Sequence, residues 1–116
     1  MNESELRRLL LGWPGVTASI KWGNDLVFSV ADKMFCACCP TEAGLGGLSF
    51  KVEDERFLEL TDRPGIQPAP YLARAHWIRI DDPAPMPDDE LRGLLRRSYE
   101  LVRARLSKKL QRELGE

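Results

Sequence analysis

The side chains best suited to chemistry in this sequence are the cations of its last third. Residues 91–112 contain eight Arg or Lys side chains and a single acid, Glu100, for a net charge of +7. Because the whole chain has a formal net charge of −1, the other residues together carry −8. Clustered cations attract phosphate backbones and gain affinity by releasing condensed counterions. The predicted polyanion-binding residues of this segment are Arg105, Lys108, Lys109 and Arg112.

These cations also have a purely structural explanation. Positive charge near the C-terminal end stabilises a helix, and long basic side chains flank the apolar stripe of many soluble helices. The segment must pack as well as bind, because apolar residues follow it at helical spacing. The stripe consists of Leu91, Leu95, Tyr99, Val102, Leu106 and Leu110. Both interpretations stay open at this point.

A second set of candidates lies in the predicted sheet. Alternation places Lys21 and Lys51 on the face opposite the core, and Arg79 and Trp77 fall beside them. Cations and an aromatic ring on an open sheet face can hold a nucleic-acid backbone and stack a base. The predicted nucleic-acid-binding residues of this region are Lys21, Lys51, Arg74, His76, Trp77 and Arg79. For Trp77 and Trp22 a structural role, in the core or covering the sheet, is the preferred interpretation.

Residues for catalysis and metal binding are too few to compose a site. His76 is the only histidine, so neither a Ser-His-Asp triad nor a His-based metal cluster can be assembled without it. Cysteines occur only at 36, 38 and 39, a pattern that lacks the CxxC pairs of zinc sites. Alternation puts two of these thiols on one strand face, where buried structural thiols are expected. The sequence predicts a non-enzymatic protein with no cofactor and no metal.

Length and composition fit a single domain over residues 1–116. Hydrophobic residues make up 43% of the chain and charged residues 30%, a balance typical of folded proteins rather than disordered ones. No apolar run is long enough to span a bilayer, and the first residues are acidic where a signal peptide would be basic. The clustered cysteines do not build a disulfide framework. We expect a cytoplasmic monomer with no membrane association.

Apolar periodicity predicts the elements that position these side chains. Asn2 and Glu5 have capping-box spacing, and short links between the first three strands require them to be antiparallel. A two-residue loop, Gly23-Asn24, is expected after a first strand that ends near Trp22. The predicted elements are a helix ending before Gly12, strands near 17–22, 26–30, 34–38 and 48–52, a helix over 54–61, an irregular segment over 62–73, a strand over 75–80 and one long helix from 87 through Arg112.

This order, α-β-β-β-β-α-β-α, predicts the fold class. An antiparallel sheet buries one face most simply under a layer of helices. We therefore expect an α+β two-layer sandwich with its helices on one face of the sheet.

Two motifs carry a family resemblance. Residues 63–78 read RPGIQPAPYLARAHWI, a Pro-rich loop that leads to a His-Trp strand, and the closing helix contains the pair Ser98-Tyr99. The layout of nearly the whole chain, with these motifs, resembles the MmcQ/YjbR-like family of small bacterial proteins. The resemblance implies a frataxin-like (CyaY-like) fold. It also implies DNA binding through a double wing of β-hairpins.

The leading functional hypothesis is weak, backbone-directed binding of DNA with little sequence preference, since no base-reading motif is visible. The first alternative is a protein-interaction or scaffold domain whose basic helix meets an acidic partner. A second alternative follows from the resemblance, because frataxins bind iron through acidic residues. The acids that would serve are Asp81, Asp82, Asp88, Asp89 and Glu90. Their position near a helix N-terminus favours a capping role instead.

Overall fold

The computed structural model of this protein describes residues 1–115, and its elements begin and end with helices. The helices are α1 (Glu3–Leu10), α2 (Asp54–Thr61), α3 (Asp88–Arg103) and α4 (Lys108–Glu113), with a one-turn 3-10 helix at Ala73–Ala75. The strands are β1 (Val16–Lys21), β2 (Asp25–Val30), β3 (Lys33–Cys38), β4 (Leu48–Lys51), β5 (Ile66–Pro68) and β6 (Trp77–Ile80). No helix within residues 1–115 is both long and apolar enough to cross a membrane.

The strands form one six-stranded antiparallel sheet in the order β1-β2-β3-β4-β6-β5. This confirms the predicted α+β class and the antiparallel pairing of the first three strands. The first hairpin loop is longer than predicted. Lys21 pairs with Asp25, so three residues rather than two make the turn, and Trp22 adopts a left-handed backbone with φ of 49°.

The predicted order of elements was wrong around the Pro-rich segment. Residues 66–68, expected to be irregular, form β5 at the edge of the sheet and pair with β6. Pro68 is tolerated there because an edge strand leaves one row of backbone groups unpaired. The strand expected over 75–80 begins only at Trp77, since Ala73–Ala75 is helical and His76 turns the chain with φ of 60°.

The last helix is broken, contrary to the prediction of one helix through Arg112. α3 ends at Arg103, and Ser107 begins α4 by accepting a hydrogen bond from the backbone N–H of Leu110 at 3.2 Å. A serine in this position competes with helix continuation because its hydroxyl satisfies the backbone of a new first turn. Beyond the break, Leu114 packs so closely on Gly15 that a Cβ there would lie 2.2 Å from a Leu114 methyl carbon.

The main core lies between one face of the sheet and the helices. It contains residues from α1, α3 and the inward face of β2, β3, β4 and β6. Cys36 and Cys38 are buried in it, as expected for structural thiols. Burial raises the pKa of Cys36 well above the ordinary thiol value and that of Cys38 to about 12. Both thiols therefore stay protonated at neutral pH.

A bulge in β3 corrects the predicted alternation of that strand. Phe28 pairs with Cys36, but the next pair is Ser29 with Met34, so Phe35 has no partner across β2. The extra residue lets Phe35 join the core directly beside Cys36. Met34, two residues before Cys36, falls on the opposite side because of the bulge and lies outside the core cluster.

Ser98 replaces the next rung of the ladder between β3 and β4. The register Cys36 to Phe50 would continue with Phe35 opposite Lys51, but Ser98 of α3 lies between them instead. Its Oγ donates to the Phe35 carbonyl oxygen at 2.7 Å and accepts from the Lys51 backbone N–H at 3.0 Å. Ser98 is fully buried, so this one hydroxyl ties α3 to two strands. The neighbouring Tyr99 hydroxyl donates to the Pro14 carbonyl at 2.6 Å.

Replacing Ser98 with alanine should lower the free energy of unfolding by about 1–3 kcal/mol, because two backbone groups lose their partner. Urea unfolding followed by circular dichroism measures this change. Ser4→Ala, at an exposed position of α1, is the matched control and should change stability by less than about 0.5 kcal/mol. Equal stabilities for Ser98→Ala and the unmodified protein would contradict the bridge.

Candidate anion-binding site

A basic groove of about 410 Å³ opens where the ends of β3 and β4 meet the end of α3. We call it the cationic groove. Three cations line it, Lys33, Lys51 and Arg105. Its apolar wall consists of Met34, Ala75, Trp77, Val102 and Leu106. The groove combines positive charge with an apolar wall, as binding sites for organic anions do.

Each cation of the groove comes from a different part of the fold. Lys33 is the first residue of β3 and Lys51 the last residue of β4. The Ser98 hydroxyl holds the Lys51 backbone, while the Lys51 ammonium donates to the carbonyl of Ala75. Arg105 lies in the turn that separates α3 from α4. Arg105, two residues beyond the end of α3, therefore lies beside the strand ends that carry Lys33 and Lys51.

Electrostatics in the cationic groove favour an anion. The pKa of Lys51 lies below its ordinary value, first because the ammonium is partly desolvated and second because Arg105 carries like charge nearby. Asp54 acts in the opposite direction. Across residues 1–115, no ion pair involves Lys33, Lys51 or Arg105. A bound anion would offset the repulsion between these cations and raise the pKa of Lys51.

The distal cations of the predicted set continue from the groove. Lys108, Lys109 and Arg112 are exposed on α4, directly after Arg105 and Ser107, and the described residues contain no ion pair for any of the three. Of the four cations earlier on α3, Arg92 is exposed and the other three are engaged. Arg97 contacts Glu53 and Glu100, and Arg103 donates to the carbonyl of Gln111. Available positive charge is thus concentrated past the end of α3.

The sheet cations fall where alternation placed them but do not all meet. Register puts Lys21, Lys51, Arg79 and Trp77 on the same face, opposite the core. Arg79 donates to the carbonyl of Gly46 at 3.1 Å and approaches Asp81 at 3.8 Å, so it supports a loop. Lys21 is exposed at the far edge of the sheet. Only Lys51 of the three cations lines the cationic groove.

The two residues of the His-Trp motif, His76 and Trp77, are engaged in packing and hydrogen bonding within the fold. Trp77 is 5% exposed, so its ring has no free face on which a base could stack, and the preferred structural interpretation of this residue holds. The His76 ring lies 2.7 Å from the Asp54 carboxylate through Nδ1 and edge-on to Phe57. Arg74 remains exposed on the 3-10 helix. For Trp22 the structural interpretation was wrong, because its side chain is 72% exposed at the β1–β2 turn.

Sequence reasoning missed Lys33. The bulge at Phe35 changes which side chains of β3 share a face, so alternation alone could not place Met34 beside Lys51. The acidic alternative gains no site in the described part of the chain, where no three His, Cys, Asp or Glu side chains converge. Asp82 instead accepts a hydrogen bond from the Leu45 backbone at 2.7 Å.

Comparison with known proteins gives a family and a fold. A family model described as YjbR matches residues 11–101. A crystal structure of a Deinococcus radiodurans protein, described by its domain DUF419, superimposes with a TM-score of 0.89 at 30% identity, covering 98% of this chain and 88% of that one. No curated protein matches the sequence significantly.

A Pseudomonas syringae protein shares the fold at lower identity. Its crystal structure gives a TM-score of 0.72 at 22% identity, covering 88% of this chain and 99% of that chain. Its solution NMR structure gives 0.68 at 24% identity, with coverage of 93% and 96%.

Charge changes around Lys51 should move its pKa in opposite directions. Arg105→Gln should raise the pKa, because a neighbouring positive charge is removed, and Asp54→Asn should lower it further. The side-chain resonances of Lys51, followed by NMR as pH rises, report both shifts. Arg8→Gln, on α1, should leave the titration unchanged. Identical Lys51 titrations in all four proteins would show that the groove charges do not interact.

Proposed function

This chain belongs to the YjbR family, and on that premise we propose that it is a non-enzymatic protein that binds DNA through the phosphate backbone. Binding is weak and has little sequence preference. The observation that carries the proposal is the convergence of Lys33, Lys51 and Arg105 on one groove, where none of the three forms an ion pair with another described residue.

The route of the backbone follows from the free cations. A strand that enters the cationic groove meets Lys51 and Arg105, then passes the exposed Lys108 and Lys109 at the start of α4. Both lysines follow Arg105 by only three or four residues, within the reach of consecutive phosphates. Contacts of this kind are independent of sequence, because every nucleotide presents the same phosphate.

The fold supports the finer family description. A helical layer on one face of a six-stranded antiparallel sheet is the arrangement expected of a frataxin-like (CyaY-like) protein. The β1–β2 hairpin forms the free edge of the sheet and is the natural candidate for one wing of a double wing. We place the protein in the cytoplasm, where DNA is accessible to it.

An acidic protein is the second candidate ligand. The observation in its favour is the apolar wall of the cationic groove, where Met34, Val102 and Leu106 could hold a side chain that a phosphate backbone lacks. Pull-down from a nuclease-treated lysate separates the two functions. A partner that persists without nucleic acid supports the scaffold function, and one that disappears supports DNA binding.

Affinity for a fluorescent DNA duplex should fall steeply with salt. With three to four phosphate contacts, the slope of log affinity against log salt should be about −3 to −4. The double variant Lys51→Gln/Arg105→Gln should bind more weakly and reduce the steepness of the slope by about two. Fluorescence anisotropy at several salt concentrations provides both numbers.

The control for this titration is Arg8→Gln/Arg92→Gln, which changes net charge by the same amount. Arg8 and Arg92 line a separate groove between α1 and α3. Arg92 lies in the second turn of α3 and Arg105 follows its end, so the thirteen residue steps from one to the other correspond to about 20 Å along the helix axis. A control that weakens binding as much as the groove variant would mean that overall charge, and not this groove, attracts DNA. No binding at low salt would refute the proposal.

A further inference from the structure

Two large aromatic side chains are exposed in loops that connect or follow strands of the sheet. Tyr71 is fully exposed, at 104% of the reference value, and Trp22 is 72% exposed. Both have positive φ, 66° for Tyr71 and 49° for Trp22, a region that non-glycine residues seldom occupy. Strained backbones of this kind concentrate at functional sites. Neither ring contributes to the core, so folding does not explain their presence there.

Residues close in sequence to both rings line the same groove. Asp25, which follows the turn carrying Trp22, and Pro70, the neighbour of Tyr71, both line a second groove of about 230 Å³. Its floor is the open face of the sheet at Ala37 and Ser49. We call it the sheet groove.

The loop that carries Tyr71 separates the sheet groove from the cationic groove. Pro70 lines the first and Ala75 the second, with Tyr71 and the exposed Arg74 between them. Lys21 stands at the outer edge of the sheet and Arg79 within the sheet groove, so cations accompany the rings. Asp25 is the acid that lines this groove. One chain of phosphates could therefore touch both grooves on the same face.

We propose that the nucleic acid taken by this protein is single-stranded, with unpaired bases stacked on Tyr71 and Trp22 while the backbone runs to the cationic groove. The inference rests on the proposed function and specifies its substrate. Stacking needs a free base face, which a duplex offers only at its ends, whereas single strands offer one at every nucleotide. Proteins that bind single strands typically combine exposed aromatic rings with neighbouring cations.

The test compares a fluorescein-labelled single strand of twelve thymidines with a duplex of twelve base pairs at the same salt concentration. The single strand should bind about a hundredfold more tightly, because stacking on each of the two rings adds about tenfold to the backbone contacts. Tyr71→Ala and Trp22→Ala should each weaken single-strand binding about tenfold and leave the salt slope unchanged. Duplex affinity should not change in either variant.

Matched variants separate stacking from loss of exposed apolar surface. Tyr71→Phe keeps a ring and should keep single-strand affinity within about twofold. Leu58→Ala removes another exposed apolar side chain, 78% exposed on α2, and should have no effect. The thymidine strand should quench tryptophan fluorescence, and Trp22→Phe should abolish the quench without loss of affinity.

Two results would overturn the inference, and they are distinguishable. Duplex binding as tight as single-strand binding, with Tyr71→Ala and Trp22→Ala unchanged, would remove the stacking role and leave the backbone-binding function standing. Failure of both nucleic acids to bind at low salt would remove the proposed function and this inference together.

Discussion

The placement of the candidate site depends on the Ser98 hydroxyl. It stands where Phe35 and Lys51 would otherwise pair, so one buried side chain fixes α3 against both β3 and β4. Because Lys51 ends β4 and Arg105 follows α3, the same contact sets the distance between two cations of the cationic groove. A small change in the packing of α3 against the sheet would therefore alter the spacing of the cations in the groove.

The ion pairs of this protein are distributed unevenly among its cations. Arg97 on the middle of α3 forms ion pairs with two carboxylates, whereas Lys51 and Arg105 form none in the described residues, although Asp54 still raises the pKa of Lys51. Partial burial lowers the pKa of Lys51 most, and the like charge of Arg105 lowers it further. An external anion offsets the repulsion most where no internal carboxylate forms an ion pair with the cations, which is why the groove, and not the most highly charged stretch of helix, is the candidate site.

Local pattern predicted much of the fold, and non-local contacts decided the rest. The capping box at Asn2, the antiparallel pairing, and the face shared by Lys21 and Lys51 follow from spacing alone, so the sequence sufficed for them. The bulge at Phe35 does not follow from spacing, because the sequence of one strand does not show which of its residues lacks a partner on the neighbouring strand. The break before Ser107 was readable in principle, because serine is a strong N-cap, but the apolar stripe continued through it.

The central claim is that an anionic backbone occupies the cationic groove. NMR chemical-shift mapping tests it most directly, by adding a short unlabelled oligonucleotide to the ¹⁵N-labelled protein and following every backbone amide. The account predicts that the largest shifts fall at Lys33, Lys51, Ala75 and Arg105, with smaller shifts along the start of α4. Shifts confined to the groove between α1 and α3, or no shifts at low salt, would contradict it.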